Sequence, residues 1–61
     1  MIEIGGAVRK LNDNKNRVML VLGIEFDNKD AGQDKITCLW VNKRGDRKIA
    51  NFKRKDLLVV V

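Results

Sequence analysis

The side chains that enzymes use for covalent and proton-transfer chemistry are almost absent from this chain. It contains no His, no Ser and no Tyr, and Cys38 is its one thiol. Serine-type nucleophilic catalysis is therefore excluded, and Cys38 would need a nearby base to act as a nucleophile. Because Trp40 follows it on the same predicted strand, we interpret Cys38 as a small buried hydrophobe. We expect no catalytic residues.

Metal-binding and phosphate-cradling patterns are also missing. One cysteine without any histidine cannot hold zinc. Asp27, Asp30 and Asp34 lack the spacing of a calcium loop and the glutamate that should follow it, so we expect a solvated loop that balances the basic surface. Gly5 and Gly6 lack the further glycines and the following helix of a phosphate-binding turn. The sequence predicts no cofactor and no metal.

Clustered positive charge is the strongest functional signal in the chain, whose formal net charge is +5. Seven of the thirteen residues from 43 to 55 are basic, and these are the candidate nucleic-acid-binding residues: Lys43, Arg44, Arg47, Lys48, Lys53, Arg54 and Lys55. On a hairpin they would form a positive ridge along a phosphate backbone. Four cations flank another predicted hairpin and would extend this ridge: Arg9, Lys10, Lys15 and Arg17. The alternative is a solvated basic face that keeps a hydrophobic mini-domain soluble.

Short apolar runs between polar loops predict β-strands. Residues 18–22 form a continuous apolar run rich in branched side chains, which is typical of a buried strand. Gly23 indicates a bend or bulge that lets Ile24 and Phe26 continue around a curved sheet. Five short strands with polar connections predict one all-β domain over residues 1–61, folded as a small closed or nearly closed barrel.

The strongest predicted strand covers residues 36–41. Its alternation places Ile36, Cys38 and Trp40 on one face, which we expect to point into the core. The chain has three aromatic residues, and so small a core needs most of them, so we expect few exposed rings for base stacking. Any nucleic-acid contact should therefore be mainly to the backbone.

A hairpin is predicted in the second half of the chain. Residues 42–46 indicate a turn, in which Gly45 supplies the positive φ that a tight reversal demands. Residues 48–52 would be the returning strand and residues 57–61 the final one.

An amphipathic helix that begins at Asp46 is the alternative for this region. Ile49, Phe52 and Leu57 would line one side of such a helix. Lys53 and Asp56 interrupt its apolar side, which favours the strands.

The chain resembles the YodC-like family of small uncharacterised bacterial proteins. The resemblance rests on Gly6-Ala7-Val8-Arg9-Lys10-Leu11, on Val18-Met19-Leu20-Val21, on Cys38-Leu39-Trp40, and on the late Phe52 and Leu57. It spans most of the chain, although the loop at residues 12–17 replaces the family's Gly-Gly-Pro turn and Leu20 stands where Thr is usual. The resemblance implies a five-stranded SH3-like barrel and assigns no catalytic residue.

Two functional hypotheses follow. The first is a cytoplasmic, non-enzymatic module that contacts the nucleic-acid backbone, DNA or RNA, through its basic surface. The second is a protein-interaction module or small regulator that docks on an acidic protein surface, with a homodimer through the C-terminal strand as a further option, because an apolar terminal strand can add to a sheet. Neither a targeting segment nor a membrane-spanning run is expected, since the longest apolar run is too short and contains Glu25.

Overall fold

Five antiparallel strands form one sheet in the computed structural model, which describes residues 1–60. They are β1 (Ala7–Lys10), β2 (Val18–Glu25), β3 (Lys35–Val41), β4 (Arg47–Lys53) and β5 (Leu57–Val59), in the spatial order β4-β3-β2-β1-β5. Two 3-10 turns, Ala31–Gln33 and Arg54–Asp56, lie in the connections. The predicted all-β, five-stranded fold is confirmed, and it is consistent with a small SH3-like barrel.

The sheet is open rather than closed. β4 and β5 are its two edges, and no ladder joins them in the described part of the chain. β5 has three residues, and all three pair with β1. The final strand is thus shorter than the predicted 57–61, and Val61 lies outside the described residues.

The predicted bulge in β2 is confirmed. The register of β2 against β3 shifts between Val21, which pairs with Cys38, and Gly23, which pairs with Thr37. A bulge adds one residue to one strand and so changes which side chains face inward. Val21 is buried and Ile24 also packs against the core. They are three positions apart, and an unbroken strand would place them on opposite faces.

The core lies on one face of the sheet, here called the inner face. Its buried side chains are Ile2, Val8, Met19, Val21, Ile36, Cys38 and Leu57. The predicted alternation of β3 is confirmed, because Ile36 and Cys38 are fully buried and Trp40 packs against the cluster while remaining partly exposed. The prediction that Phe26 continues the sheet is wrong. Phe26 follows the last residue of β2 and is 72% exposed.

Residues 47–53 and 57–59 are β-strands joined by a single 3-10 turn, so the alternative helix from Asp46 is excluded. Asn42 and Asp46 close the predicted turn, with the Asn42 N–H 3.0 Å from the Asp46 carbonyl oxygen, and Gly45 has a φ of +85°. β4 is two residues longer than predicted, since Arg47 and Lys53 also pair with β3. No helix in residues 1–60 is long and apolar enough to cross a membrane.

Candidate nucleic-acid interface

Two connections meet at one end of the sheet, here called the loop end. They are the β1–β2 loop (residues 11–17) and the β3–β4 turn (residues 42–46), which antiparallel pairing brings to the same end. A cleft of about 270 Å³ lies between them, lined by Lys15, Arg17, Val41, Asn42 and Lys43. Cations from two segments distant in sequence thus share one surface.

The structure divides the seven predicted binding residues between the two ends of β4. Lys43, Arg44, Arg47 and Lys48 lie at the loop end. Lys53, Arg54 and Lys55 lie at and beyond the other end of β4, here called the far end, where Arg54 contacts Asp34 of the β2–β3 loop. The 3-10 turn that contains Arg54 also reaches the start of the β1–β2 loop, since the Leu11 N–H lies 2.8 Å from the Asp56 carbonyl oxygen. Six residue steps of β4 separate Arg47 from Lys53, which corresponds to roughly 20 Å of extended chain. The predicted residues therefore do not form one continuous ridge.

Arg54 is held in an ion pair. Its Nε lies 3.0 Å from Oδ2 of Asp34, whose side chain is only 4% exposed. The other carboxylate oxygen of Asp34 accepts a hydrogen bond from the backbone N–H of Asp27 at 2.6 Å. The expectation that Asp34 belongs to a solvated loop is wrong, because this carboxylate joins the β2–β3 loop to the turn before β5.

The remaining aspartates of the β2–β3 loop organise its backbone. Asp27 accepts hydrogen bonds from the N–H groups of Lys29 and Asp30, and Asp30 accepts one from Gly32. No set of three His, Cys, Asp or Glu side chains within residues 1–60 is placed to hold a metal ion. The far end therefore carries mixed charge, with Glu25 also paired to Lys35 at 3.5 Å.

The basic residues at the start of β4 project to both faces of the sheet. Lys48 pairs with Trp40 and therefore shares the inner face, whereas Arg47 pairs with Val41 on the opposite, outer face. The loop end is thus positive on both sides.

A pocket of about 550 Å³ opens on the inner face beside the loop end. Trp40 and Phe52 line it, together with Met19 and Ala50. The two rings have centroids 6.2 Å apart and planes inclined at 47°. Both aromatic residues are partly buried, so each supports the core and also contributes surface to the pocket.

Two cations lie over these rings. The guanidinium carbon of Arg17 is 5.1 Å from the centroid of Trp40, and Nζ of Lys10 is 5.7 Å from the centroid of Phe52. Cations at such distances are attracted by the ring quadrupole. The pocket therefore combines aromatic surface with positive charge.

Asp13 shapes the loop that borders this pocket. Its carboxylate accepts hydrogen bonds from the backbone N–H groups of Lys15 at 3.1 Å and Arg17 at 3.3 Å. The Lys15 hydrogen bond is the main cause that lowers the pKa of Asp13, and the charges of Arg17 and Lys10 act in the same direction. Asn12 and Asn16 have positive φ values of 62° and 51°, which asparagine tolerates better than most residues. This loop geometry places Arg17 over Trp40.

Sequence reasoning missed the pocket because it assigned the aromatic residues to the core. One signal was present in the sequence, since Lys10 directly precedes the β1–β2 loop and Lys15 and Arg17 lie within it. The register that places this loop next to Trp40 and Phe52 is a tertiary property that the local pattern does not contain.

The outer face carries a second feature, a row of aliphatic side chains that are exposed except for the half-buried Leu39. Leu20, Leu39 and Ile49 are direct cross-strand neighbours on β2, β3 and β4. Val18 and Val41 on the same face are 55% and 60% exposed, and Ile49 is 63% exposed. Such a continuous apolar surface is unusual for a face that stays in water.

No family model, curated protein or solved structure matches the chain. The resemblance to the YodC-like family therefore stays a prediction.

Proposed function

We propose that this protein is a small, non-enzymatic binding module that contacts the phosphate backbone of nucleic acid through its loop end. One observation carries the proposal: cations of the β1–β2 loop and of the β3–β4 turn converge on one cleft. Cations gathered from separate segments of the chain match a polyanion with regularly spaced phosphates.

The charge balance of the loop end supports this assignment. Within the described residues, no carboxylate lies within ion-pair distance of Lys43, Arg44, Arg47 or Lys48. At the loop end Arg17 is the exception, with its Nε 3.7 Å from Oδ2 of Asp13. At the far end Arg54 is bound to Asp34 and Lys35 to Glu25. Cations without a protein partner can neutralise phosphates and release counterions, whereas paired ones must first give up their carboxylate.

Titration of the protein against labelled single-stranded and duplex DNA and RNA tests the proposal. We expect binding at low salt, with an affinity that falls linearly on a logarithmic scale as salt rises. Polyglutamate of similar length serves as a control for any flexible polyanion. Absence of detectable binding to all four nucleic acids at low salt, or binding no tighter than to polyglutamate, would refute the proposal.

The outer face favours a second candidate function, docking of a partner protein that carries an apolar strip bordered by carboxylates. Arg9 lies opposite Val18 and Arg47 opposite Val41, so cations flank the exposed aliphatic row. This arrangement complements an acidic partner, and it disfavours stacking of two copies because their cations would face each other.

Capture from a nuclease-treated lysate by the wild type and by Ile49→Ser tests this second candidate. Ile4→Ser is the matched control, because Ile4 is 66% exposed but precedes β1. Support requires that a captured acidic protein binds the purified wild type and loses affinity only for Ile49→Ser. Equal binding by both variants contradicts it.

Light scattering across a concentration series distinguishes self-association from docking of a partner. If the wild type dimerises and Ile49→Ser does not, the outer face binds a second copy of the chain and not a partner protein. A dimer unaffected by Ile49→Ser but lost in Leu58→Lys would instead support pairing through the β5 edge.

A further inference from the structure

We infer that the inner-face pocket receives one unstacked base of a single-stranded nucleic acid whose phosphates lie along the loop end. This inference rests on the proposed function and deepens it, because backbone contacts alone do not distinguish single strands from duplex.

The pocket is large enough to admit a nucleobase, and its lining suits one. Its volume of about 550 Å³ lies within the usual range for small-molecule sites of about 300–1,000 Å³. Trp40 and Phe52 provide aromatic surface, and Asn12 and Asn14 at the border carry amides that both donate and accept hydrogen bonds. A base needs this combination of a flat apolar surface and polar groups at its edge.

The cations over the rings are themselves part of the lining of the pocket. Arg17 presents a planar guanidinium above Trp40 at 5.1 Å, and a base can stack on such a plane as it does on a ring. Asp13 holds the backbone N–H of Arg17 at 3.3 Å and lies 3.7 Å from its Nε, so the plane is positioned before a ligand arrives. Preorganisation of this kind lowers the entropic cost of binding.

The position of the pocket favours unpaired over paired bases. It is bordered by the β1–β2 loop and contiguous with the loop-end cations, since Lys15 and Arg17 line both the pocket and the cleft. A base in a duplex stays stacked between its neighbours and must leave the stack to enter such a recess, at a cost of a few kcal/mol. A single strand enters without this cost.

Trp40 makes the inference directly measurable, because it is the only tryptophan in the chain. Three ligands of equal length separate bases from phosphates: oligo-thymidine, an abasic single strand and the duplex of oligo-thymidine with oligo-adenosine. We expect oligo-thymidine to quench Trp40 emission and to bind at least about 5-fold tighter than the other two, the lower limit for stacking one base.

Phe52→Leu and Phe26→Leu form a matched pair of variants. Phe52→Leu keeps an apolar side chain against the core but removes the ring, so we expect it to weaken oligo-thymidine binding by about 5-fold and to leave abasic binding unchanged. Phe26 is 72% exposed and does not line this pocket, so Phe26→Leu should bind as the wild type does. If Phe52→Leu does not fold, the three-ligand comparison on the wild type decides alone.

The outcomes distinguish a failure of the base pocket from a failure of the proposed backbone-binding function. Equal affinity for all three ligands without a change in Trp40 emission overturns the base pocket and leaves the backbone function intact. No binding of any ligand overturns both. Quenching by an acidic peptide, with none by oligo-thymidine, would assign the pocket to a protein ligand and would also overturn the inference.

Discussion

Two arginines from the same basic segment have different roles in the structure. Arg54 is partly buried and donates to the buried carboxylate of Asp34, whereas Arg44 is exposed in the β3–β4 turn. Sequence alone treats them as equivalent, since each lies beside another cation and the partner of Arg54 is twenty residues away. The alternation of β3, in contrast, was predictable, because Ile36, Cys38 and Trp40 follow a period of two.

Arg54→Gln should lower the free energy of unfolding by about 2 kcal/mol, because a buried carboxylate loses its charged donor. Urea denaturation monitored by Trp40 fluorescence measures this loss. Arg44→Gln is the matched control, and we expect it to leave the free energy of unfolding unchanged while weakening nucleic-acid binding. Equal stability of the two variants would contradict the structural role of Arg54.

The Asp13 carboxyl should titrate below its ordinary pKa of 3.8, since the Lys15 N–H stabilises the ionised form. A lowered folded-state pKa means that its contribution to stability is fully present above about pH 3.8 and is lost as the pH falls through the lower folded-state pKa. NMR titration of the carboxyl carbon, assigned with Asp13→Asn, measures the midpoint. A midpoint at or above 3.8 would show that the loop hydrogen bonds do not persist in solution.

The strands and their turns follow mostly from local chemistry. Gly45 marked the β3–β4 turn and Gly23 the bulge in β2, and both predictions are confirmed. The residues at which strands end were harder to predict from the sequence. Phe26 continues the apolar pattern of β2 but lies beyond its last residue, because strand pairing with β3 stops at Glu25.

Gly45→Ala and Gly23→Ala should differ in how much they lower the free energy of unfolding. Gly45 has a φ of +85°, so a Cβ there strains the backbone even though the space is open. We expect Gly45→Ala to lower the free energy of unfolding by about 1–2 kcal/mol. Gly23 has neither a positive φ nor an atom within 4 Å of a new Cβ, so Gly23→Ala should change stability much less. Thermal or urea unfolding compares the two, and a greater loss for Gly23→Ala would contradict the described turn.

On the scale of the whole molecule, the fold class was predictable but the distribution of charge was not. The alternation of short apolar and polar segments along the 61 residues predicted an all-β domain. The positions of the basic residues depend on which ends of the strands meet. β4 carries Arg47 to the loop end and Lys53 to the far end, although six positions separate them in the sequence. The open sheet is likewise a tertiary property, because within residues 1–60 no ladder joins β4 to β5.

Because β4 separates the basic residues into a loop-end group and a far-end group, a comparison of two triple variants tests the proposed phosphate-binding surface most directly. The loop-end variant replaces Lys43, Arg44 and Arg47 by Gln, and the far-end variant replaces Lys29, Lys53 and Lys55 by Gln. Each removes three positive charges from a net charge of +5, so a purely global charge effect would weaken binding equally in both.

The decisive quantity is the slope of log affinity against log salt for a single-stranded and a duplex oligonucleotide. We predict that the loop-end variant flattens the slope by about two to three units, since each lost phosphate contact contributes roughly 0.7 to 0.9. The far-end variant should keep the wild-type slope. Equal flattening in both variants, or a larger effect at the far end, would contradict the assignment of the phosphate-binding surface to the loop end.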